Sequence, residues 1–291
     1  MERIQAALEK ARAARKSATP AVAVSLPPVD SAQQPDAAQP DPTLAWAALQ
    51  PCQPDPALLV RNRIVAFASS MQSTPFDMMR TKVIQQMRAN GWRRLGITSP
   101  MQGCGKSTIA LNLAFSLARQ SEFRTILAEI DLRRPTLGAT LGLYGTNRKA
   151  RAPKPADDRP DFARVLEGRA EFGDAALRYG EGLAFGVNAG PERGSAELLH
   201  GSAVGPALAA IEARYAPDLM LFDMPPMLVS DDVMAFLTHV DAVLLIAGAE
   251  TTTIKQIDAC ERDLAAQTNV MGVVLNKCNY MGPDAGYSYY G

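Results

Sequence analysis

The sequence predicts a doubly wound α/β domain built on a mostly parallel sheet. Three observations carry that prediction. Short, unbroken apolar runs recur, such as Leu219-Met-Leu-Phe and Ala242-Val-Leu-Leu-Ile, and runs of this kind mark strands buried on both faces. Between them lie longer segments with helical periodicity, so strand and helix alternate. At 291 residues, 47% hydrophobic and 21% charged, the chain can bury a full core.

In order along the chain, residues 1–17 are expected to form a short helix, with Ile4, Leu8 and Ala11 on one stripe. Five basic residues against two acidic ones make it modestly positive, which fits either a solvated helix or one that docks on a partner or membrane surface. Residues 18–57 hold nine of the 21 prolines and neither Lys nor Arg. Such a stretch buries too little apolar surface to offset its ordering entropy, so a disordered linker is expected. One apolar patch interrupts it, Leu44-Ala-Trp46-Ala-Ala-Leu49, and it is expected to pack on the domain. The folded domain is placed at 58–277. Leu58–Phe67 is expected as a strand and Phe76–Met87 as a helix, with Phe76, Met79, Val83 and Met87 on one stripe. Strands are then expected at 94–98, 124–130, 183–187, 219–222, 242–246 and 270–275, and helices at 106–120, 196–215, 231–237 and 253–267. Residues 146–161 form a polar loop, read as a solvated insertion. Residues 278–291 form a flexible tail, broken by Gly282, Pro283, Gly286 and Gly291.

Composition excludes several classes of function. The formal net charge is zero, so no overall field draws the chain to nucleic acid or anionic lipid. The longest apolar runs fall far short of the ~20 residues that span a bilayer, and the N-terminus lacks the apolar stretch of a secretory signal. A cytoplasmic location is expected. Cys52, Cys104, Cys260 and Cys278 are scattered, and His200 and His239 stand in unrelated contexts. Neither a structural zinc site nor a Ser-His-Asp hydrolase fits that supply.

Chemistry concentrates at the ends of the expected strands. Leu95-Gly-Ile-Thr-Ser leads into Pro100-Met-Gln-Gly103-Cys104-Gly105-Lys106-Ser107-Thr108 and then into an amphipathic helix. Strand, glycine loop, Lys-Ser and helix make the P-loop arrangement. Gly103 and Gly105 let backbone N–H groups point at phosphate oxygens, and the helix N-terminus adds its donors and dipole. Lys106 reaches the β- and γ-phosphates of a nucleotide, and Ser107 offers a hydroxyl to Mg²⁺. Pro100 stands where the motif usually begins with glycine. A second strand closes on Glu129-Ile-Asp131, which places both acids at its carboxyl end, where such sheets bind ligands. If the strand persists, both face one way and suit Mg²⁺ coordination and proton acceptance. A third closes on Asp223 before Met-Pro-Pro, the position from which a P-loop protein holds Mg²⁺ through water. Four of the seven tyrosines, Tyr280, Tyr287, Tyr289 and Tyr290, crowd the last twelve residues.

Over residues 60–291 these features resemble the bacterial tyrosine autokinases of capsule and exopolysaccharide systems. The resemblance is carried by Thr98-Ser-x-x-x-Gly-x-Gly-Lys-Ser-Thr, Glu129-Ile-Asp-Leu-Arg-Arg-Pro, Phe222-Asp-Met-Pro-Pro with Val229-Ser-Asp-Asp, Gly272-Val-Val-Leu-Asn-Lys and the tyrosine-rich end. The opening Met-Glu-Arg-Ile-Gln is similar as well. It implies a P-loop NTPase-type fold, ATP and Mg²⁺ as cofactors, and autophosphorylation of Tyr280, Tyr287, Tyr289 and Tyr290 in trans. It makes Gly103, Cys104, Gly105, Lys106, Ser107 and Thr108 the Walker A loop, Glu129 and Asp131 the Walker A′ acids and Asp223 the Walker B acid. Asn276 falls where the adenine approaches. Ser107, Asp131 and Asp223 organise the metal, while Glu129 or Asp131 takes the phenolic proton. A homo-oligomer and a membrane-spanning polysaccharide chain-length regulator are the implied partners, the latter holding the protein at the inner face of the membrane. Three positions depart from the family: Glu129 replaces Asp, Cys104 replaces an acid, and the Glu/Arg/Arg pattern of the subunit ring survives in part as Arg80. Two other readings stand beside this one. One is a non-catalytic ATP-binding regulator of the export machine. The other is a partition or division-site ATPase switch, whose extra loop lysine is replaced here by Met101.

Overall fold

A computed structural model describes residues 41–143 and 160–278. The helix expected at 1–17, the linker up to residue 40, nearly all of the polar loop at 146–161 and the tyrosines of the tail lie outside the described residues. Eight strands form one sheet: β1 (Gln50–Pro51), β2 (Arg94–Ser99), β3 (Thr125–Glu129), β4 (Ala176–Tyr179), β5 (Leu183–Gly186), β6 (Leu219–Pro226), β7 (Ala242–Gly248) and β8 (Asn269–Asn276). Their spatial order is β1-β4-β5-β3-β6-β2-β7-β8. From β5 to β8 every neighbouring pair is parallel. Strand β4 runs antiparallel to β5, and β1, parallel to β4, shares its reversed direction. Strands β3, β6 and β7 are buried at every position, as their unbroken apolar sequences require.

The helices in chain order are α1 (Pro42–Ala48), α2 (Pro56–Arg61), α3 (Thr74–Asn90), α4 (Lys106–Ala118), α5 (Leu137–Thr140), α6 (Phe162–Leu166), α7 (Phe172–Ala175), α8 (Ser195–Leu199), α9 (Val204–Tyr215), α10 (Asp232–Phe236) and α11 (Ile254–Ala265). Two apolar cores result. One holds Ile97, Leu113, Phe115, Phe185 and Ile246, and includes the inner face of α4. The other holds Phe162, Phe172, Tyr215, Phe222 and Phe236, and includes α9. Local sequence sets the ends of the helices. Gly91, at φ 68°, closes α3, while Thr253 and Gln256 cap each other's backbone N–H groups at the start of α11.

Three expectations need correction. The proline-rich segment does not stay a linker to residue 57. From Asp41 it folds, and α1 buries Trp46, whose indole N–H donates to the Tyr215 carbonyl at 2.6 Å. The patch 44–49 therefore packs as expected. The strand expected at 58–67 is instead helix α2 followed by a turn. Asp55 caps that helix from its side chain and Pro56 begins it, both ordinary start signals. The single helix expected at 196–215 is two, broken around Gly201, where an added Cβ would lie 2.8 Å from the Leu198 carbonyl oxygen.

Candidate active site

The parallel strands β2, β3 and β6 end side by side, which brings their terminal residues to one edge. Beyond β2 the loop 100–105 turns back into α4. Gly103 and Gly105 take φ of 79° and 93°, and a Cβ on Gly105 would lie 2.2 Å from the Asn276 side-chain nitrogen. Only glycine fits there. The amide of Asn276 in turn donates to the Cys104 carbonyl at 2.8 Å, so the end of β8 braces the loop.

A cavity of about 570 Å³ opens over this edge. Gly103, Gly105, Lys106, Ser107, Thr108 and Asp131 line it. The Lys106 ammonium lies 2.8 Å from Asp131 and 3.6 Å from Asp223. Burial works against its charge, but Asp223 and Asp131 outweigh that and hold its pKa above the ordinary lysine value. Asp223 is fully buried, and its carboxylate is met only loosely, by the Lys106 ammonium at 3.6 Å and by the neighbouring Ser107 hydroxyl. Burial, with Asp131 adding, pushes its pKa up against the pull of Lys106. A buried carboxylate so loosely partnered is costly unless something completes it. Beside a phosphate-shaped loop, a hydrated divalent ion meets that need, so the residues present fit both a nucleotide and Mg²⁺. Among the described residues no cluster of three His, Cys, Asp or Glu gathers, so an ion here would share its shell with phosphate oxygens and water.

Glu129 does not join this group. Strand β3 ends at Glu129, and the N–H groups of Ile130 and Asp131 both bond to the Asp223 carbonyl, at 2.8 and 3.1 Å. The simple alternation that would set Glu129 and Asp131 on one side is lost there. The Glu129 carboxylate instead accepts backbone N–H groups from Leu137 at 2.7 Å, Thr136 at 2.5 Å and Asn188 at 3.0 Å. It is fully buried and does not line the cavity. Burial raises its pKa to about 7, against the Leu137 and Asn188 N–H groups that favour the anion. Neither Glu129 nor Asp223 lines the cavity, and Asp131 is the carboxylate that faces it. Cys104 is also buried, its Sγ 3.5 Å from Thr252 Oγ1, and neither Cys104 nor Asn276 lines the cavity.

The structure adds cations that sequence reasoning missed. Arg63, Arg133, Arg134 and Lys277 all line the cavity. Arg133 is aimed by a two-point contact with the buried Asp232, at 2.7 and 2.9 Å. Arg134 bonds to Gln102 within the glycine loop. Arg63 arrives from the turn after α2, which α4 holds in place: Asn112 accepts from Val65 and Ala66 N–H and donates to the Arg63 carbonyl. One signal pointed to that brace, a lone Asn in the apolar run Ile109-Ala-Leu-Asn-Leu-Ala-Phe.

This edge, loop and cavity meet a match in known proteins. The profile of the CobQ/CobB/MinD/ParA nucleotide binding domain aligns with residues 95–282. The chain belongs to this family. It is similar to the tyrosine-protein kinase YwqD of Bacillus subtilis, 27% identical over 76% of this chain and 87% of that one. It is 29% identical to the tyrosine-protein kinase wzc of Salmonella typhi over 78% of this chain, but spans 28% of that longer protein. The crystal structure of the VpsO kinase domain is 26% identical, with a TM-score of 0.58 over 72% of this chain and 97% of that one. The kinase domain of Escherichia coli ETK shares the fold, with a TM-score of 0.61 at 22% identity over 82% of this chain and 86% of that one. The resemblance to bacterial tyrosine kinases read from the sequence is found again in these relatives. Among the described residues no helix is long and apolar enough to cross a membrane.

Proposed function

We propose that this member of the MinD/ParA-type family is an ATP-dependent tyrosine autokinase that modifies Tyr280, Tyr287, Tyr289 and Tyr290 of its own tail. The observation that carries the reading is the cluster of Asp131, Lys106 and Asp223 beside a glycine loop, in a chain whose relatives bear the name tyrosine-protein kinase. Lys106 and the loop N–H groups hold the triphosphate. Ser107, Asp131 and Asp223 hold Mg²⁺, which neutralises charge on the phosphates when bound. A phenol has a pKa near ~10 and arrives protonated. Asp131 accepts that proton as the phenolic oxygen bonds to the γ-phosphorus and the bond to the ADP oxygen breaks. A base so placed contributes ~10²–10⁴-fold, the remainder coming from positioning and charge neutralisation.

By the same family likeness the protein acts beside a membrane-spanning chain-length regulator at the inner face of the membrane. There the charge added to the tail tunes capsule or exopolysaccharide polymerisation and export. Each phosphate adds about −1.5 to −2 charges, so several on one tail repel one another and loosen the assembly.

Incubation with Mg²⁺ and γ-labelled ATP, followed by mapping of phosphotyrosine, tests the reading. Tail label that disappears in Lys106→Met supports it. Nucleotide binding without label supports the second reading, a non-catalytic regulator, which the withdrawal of Glu129 from the cavity favours. Free phosphate without tail label points to an ATPase switch.

A further inference from the structure

Among the described residues four non-glycine positions have positive φ: Arg63, Ala216, Glu250 and Lys277. Two of the four, Arg63 at 61° and Lys277 at 62°, line the one cavity described above. A long side chain is disfavoured in that conformation, and persists only where the surroundings impose it.

The surroundings do impose it. After α2 the Ile64 N–H bonds to the Leu59 carbonyl and the Arg63 N–H to the Val60 carbonyl, each at 2.9 Å. That is the double closure of a helix C-terminus in which glycine is the favoured residue at the position Arg63 holds. Asn112 then fixes the Arg63 carbonyl from α4. At the other side of the cavity Asn276 does the equivalent for Lys277. Its carbonyl accepts from Ala249 N–H at 2.8 Å and its amide donates to the loop carbonyl of Cys104. Each cation is thus tied through an asparagine to the phosphate loop or to the helix that begins at it.

The cavity's other cations have partners of their own. Lys106 is engaged by Asp131 and Asp223, Arg133 by Asp232, and Arg134 by Gln102. Among the described residues neither Arg63 nor Lys277 is held by a carboxylate. Exposed and strained, each would be served better by glycine unless its charge has a use at this place.

We infer that Arg63 and Lys277 are binding residues that grip the polyphosphate of the bound nucleotide from the wall of the cavity. The inference rests on the nucleotide reading above. Its chemistry is that of two separate point contacts to a polyphosphate, which a monophosphate cannot satisfy.

The test uses the whole chain and three variants, Arg63→Gly, Lys277→Gly and Arg63→Lys. Affinities for MgATP and for AMP are measured by calorimetry, alongside Tm. Glycine relieves the backbone, so the Gly variants keep or raise Tm. Each weakens MgATP binding by about tenfold, the effect of one charged hydrogen bond, and leaves AMP binding unchanged. Arg63→Lys keeps the charge and recovers most of the affinity. MgATP affinity unchanged in both Gly variants overturns the inference, as does an equal loss for MgATP and AMP. Wild-type protein that binds no nucleotide overturns this inference and the nucleotide reading together. Wild-type protein that binds MgATP but labels no tyrosine overturns only the kinase reading and leaves the affinity test standing.

Discussion

The two acids at the end of β3 separate into different tasks. Asp131 meets Lys106 at 2.8 Å on the wall of the cavity, whereas Glu129 is spent on backbone N–H groups. Asp131→Asn is therefore expected to lower phosphotyrosine formation by ~10²-fold or more while MgATP is still bound, as read by single-turnover transfer beside a binding titration. Glu129 carries a different signature. Its folded pKa of about 7 lies above the ordinary 4.5, so the folded state keeps a proton that the unfolded chain gives up first. Its stabilising contribution is complete below pH 4.5 and fades as pH rises through about 7. Where the two states differ by nearly one proton, stability falls by about 1.4 kcal/mol per pH unit. Urea midpoints at pH 5 and pH 7.5 should therefore differ more in the wild type than in Glu129→Gln. An identical pH dependence in the two proteins would show that the carboxyl is already ionised at pH 5. Residue types alone showed both acids at the strand end. They did not show that the ladder splits on the Asp223 carbonyl, because that depends on the neighbouring strand.

Two small elements, α1 and the turn after α2, attach to neighbouring helices, α1 to α9 chiefly through Trp46 and the turn to α4 chiefly through Asn112. Trp46 fixes α1 by burial and one hydrogen bond to Tyr215. Trp46→Ala is expected to cost about 3–5 kcal/mol in denaturant unfolding, with proteolytic cleavage moving into residues 41–57. If that segment were only a tether, stability would not change. Asn112 fixes the turn that carries Arg63. Replacing it with Leu strands the N–H groups of Val65, part-buried, and Ala66, buried, for roughly 2–6 kcal/mol in all at about 1–3 kcal/mol for each donor. These attachments also explain which elements were legible. The buried strands and α3, α4 and α11 carry their period in their own residues. Helix α2 is six residues long, too short to show a period, and closes on Arg63 where glycine would have announced its end. Its run Leu58-Leu59-Val60 therefore passes for a strand. The proline-rich composition of 41–57 hid two helices for the opposite reason, since Pro42 and Pro56 serve as helix starts.

At the scale of the whole molecule the proposed reaction needs one chain's cavity and another chain's tail. Mixing Lys106→Met protein with active protein lacking residues 279–291 should label the Lys106→Met tail, because each supplies what the other lacks. No label in the mixture, with label in the wild type, would confine transfer to a single chain. The cavity edge was readable from sequence because three motifs each end a strand, and parallel strands must deliver their ends together. The rim cations were not, since Arg63, Arg133 and Lys277 come from segments distant in sequence and only the fold assembles them. One detail of the sheet bears on assembly in another way. At β1 the N–H of Cys52 points inward to Arg178, so the intervening Pro51 turns its nitrogen outward, where it has no hydrogen to give. That position offers no donor to a further strand. The opposite border, β8, contains no proline and, among the described residues, presents Val273 and Leu275 to solvent. Among the described residues, a strand added to this sheet would find an unbroken row of donors to meet along β8 but a missing one at Pro51 along β1.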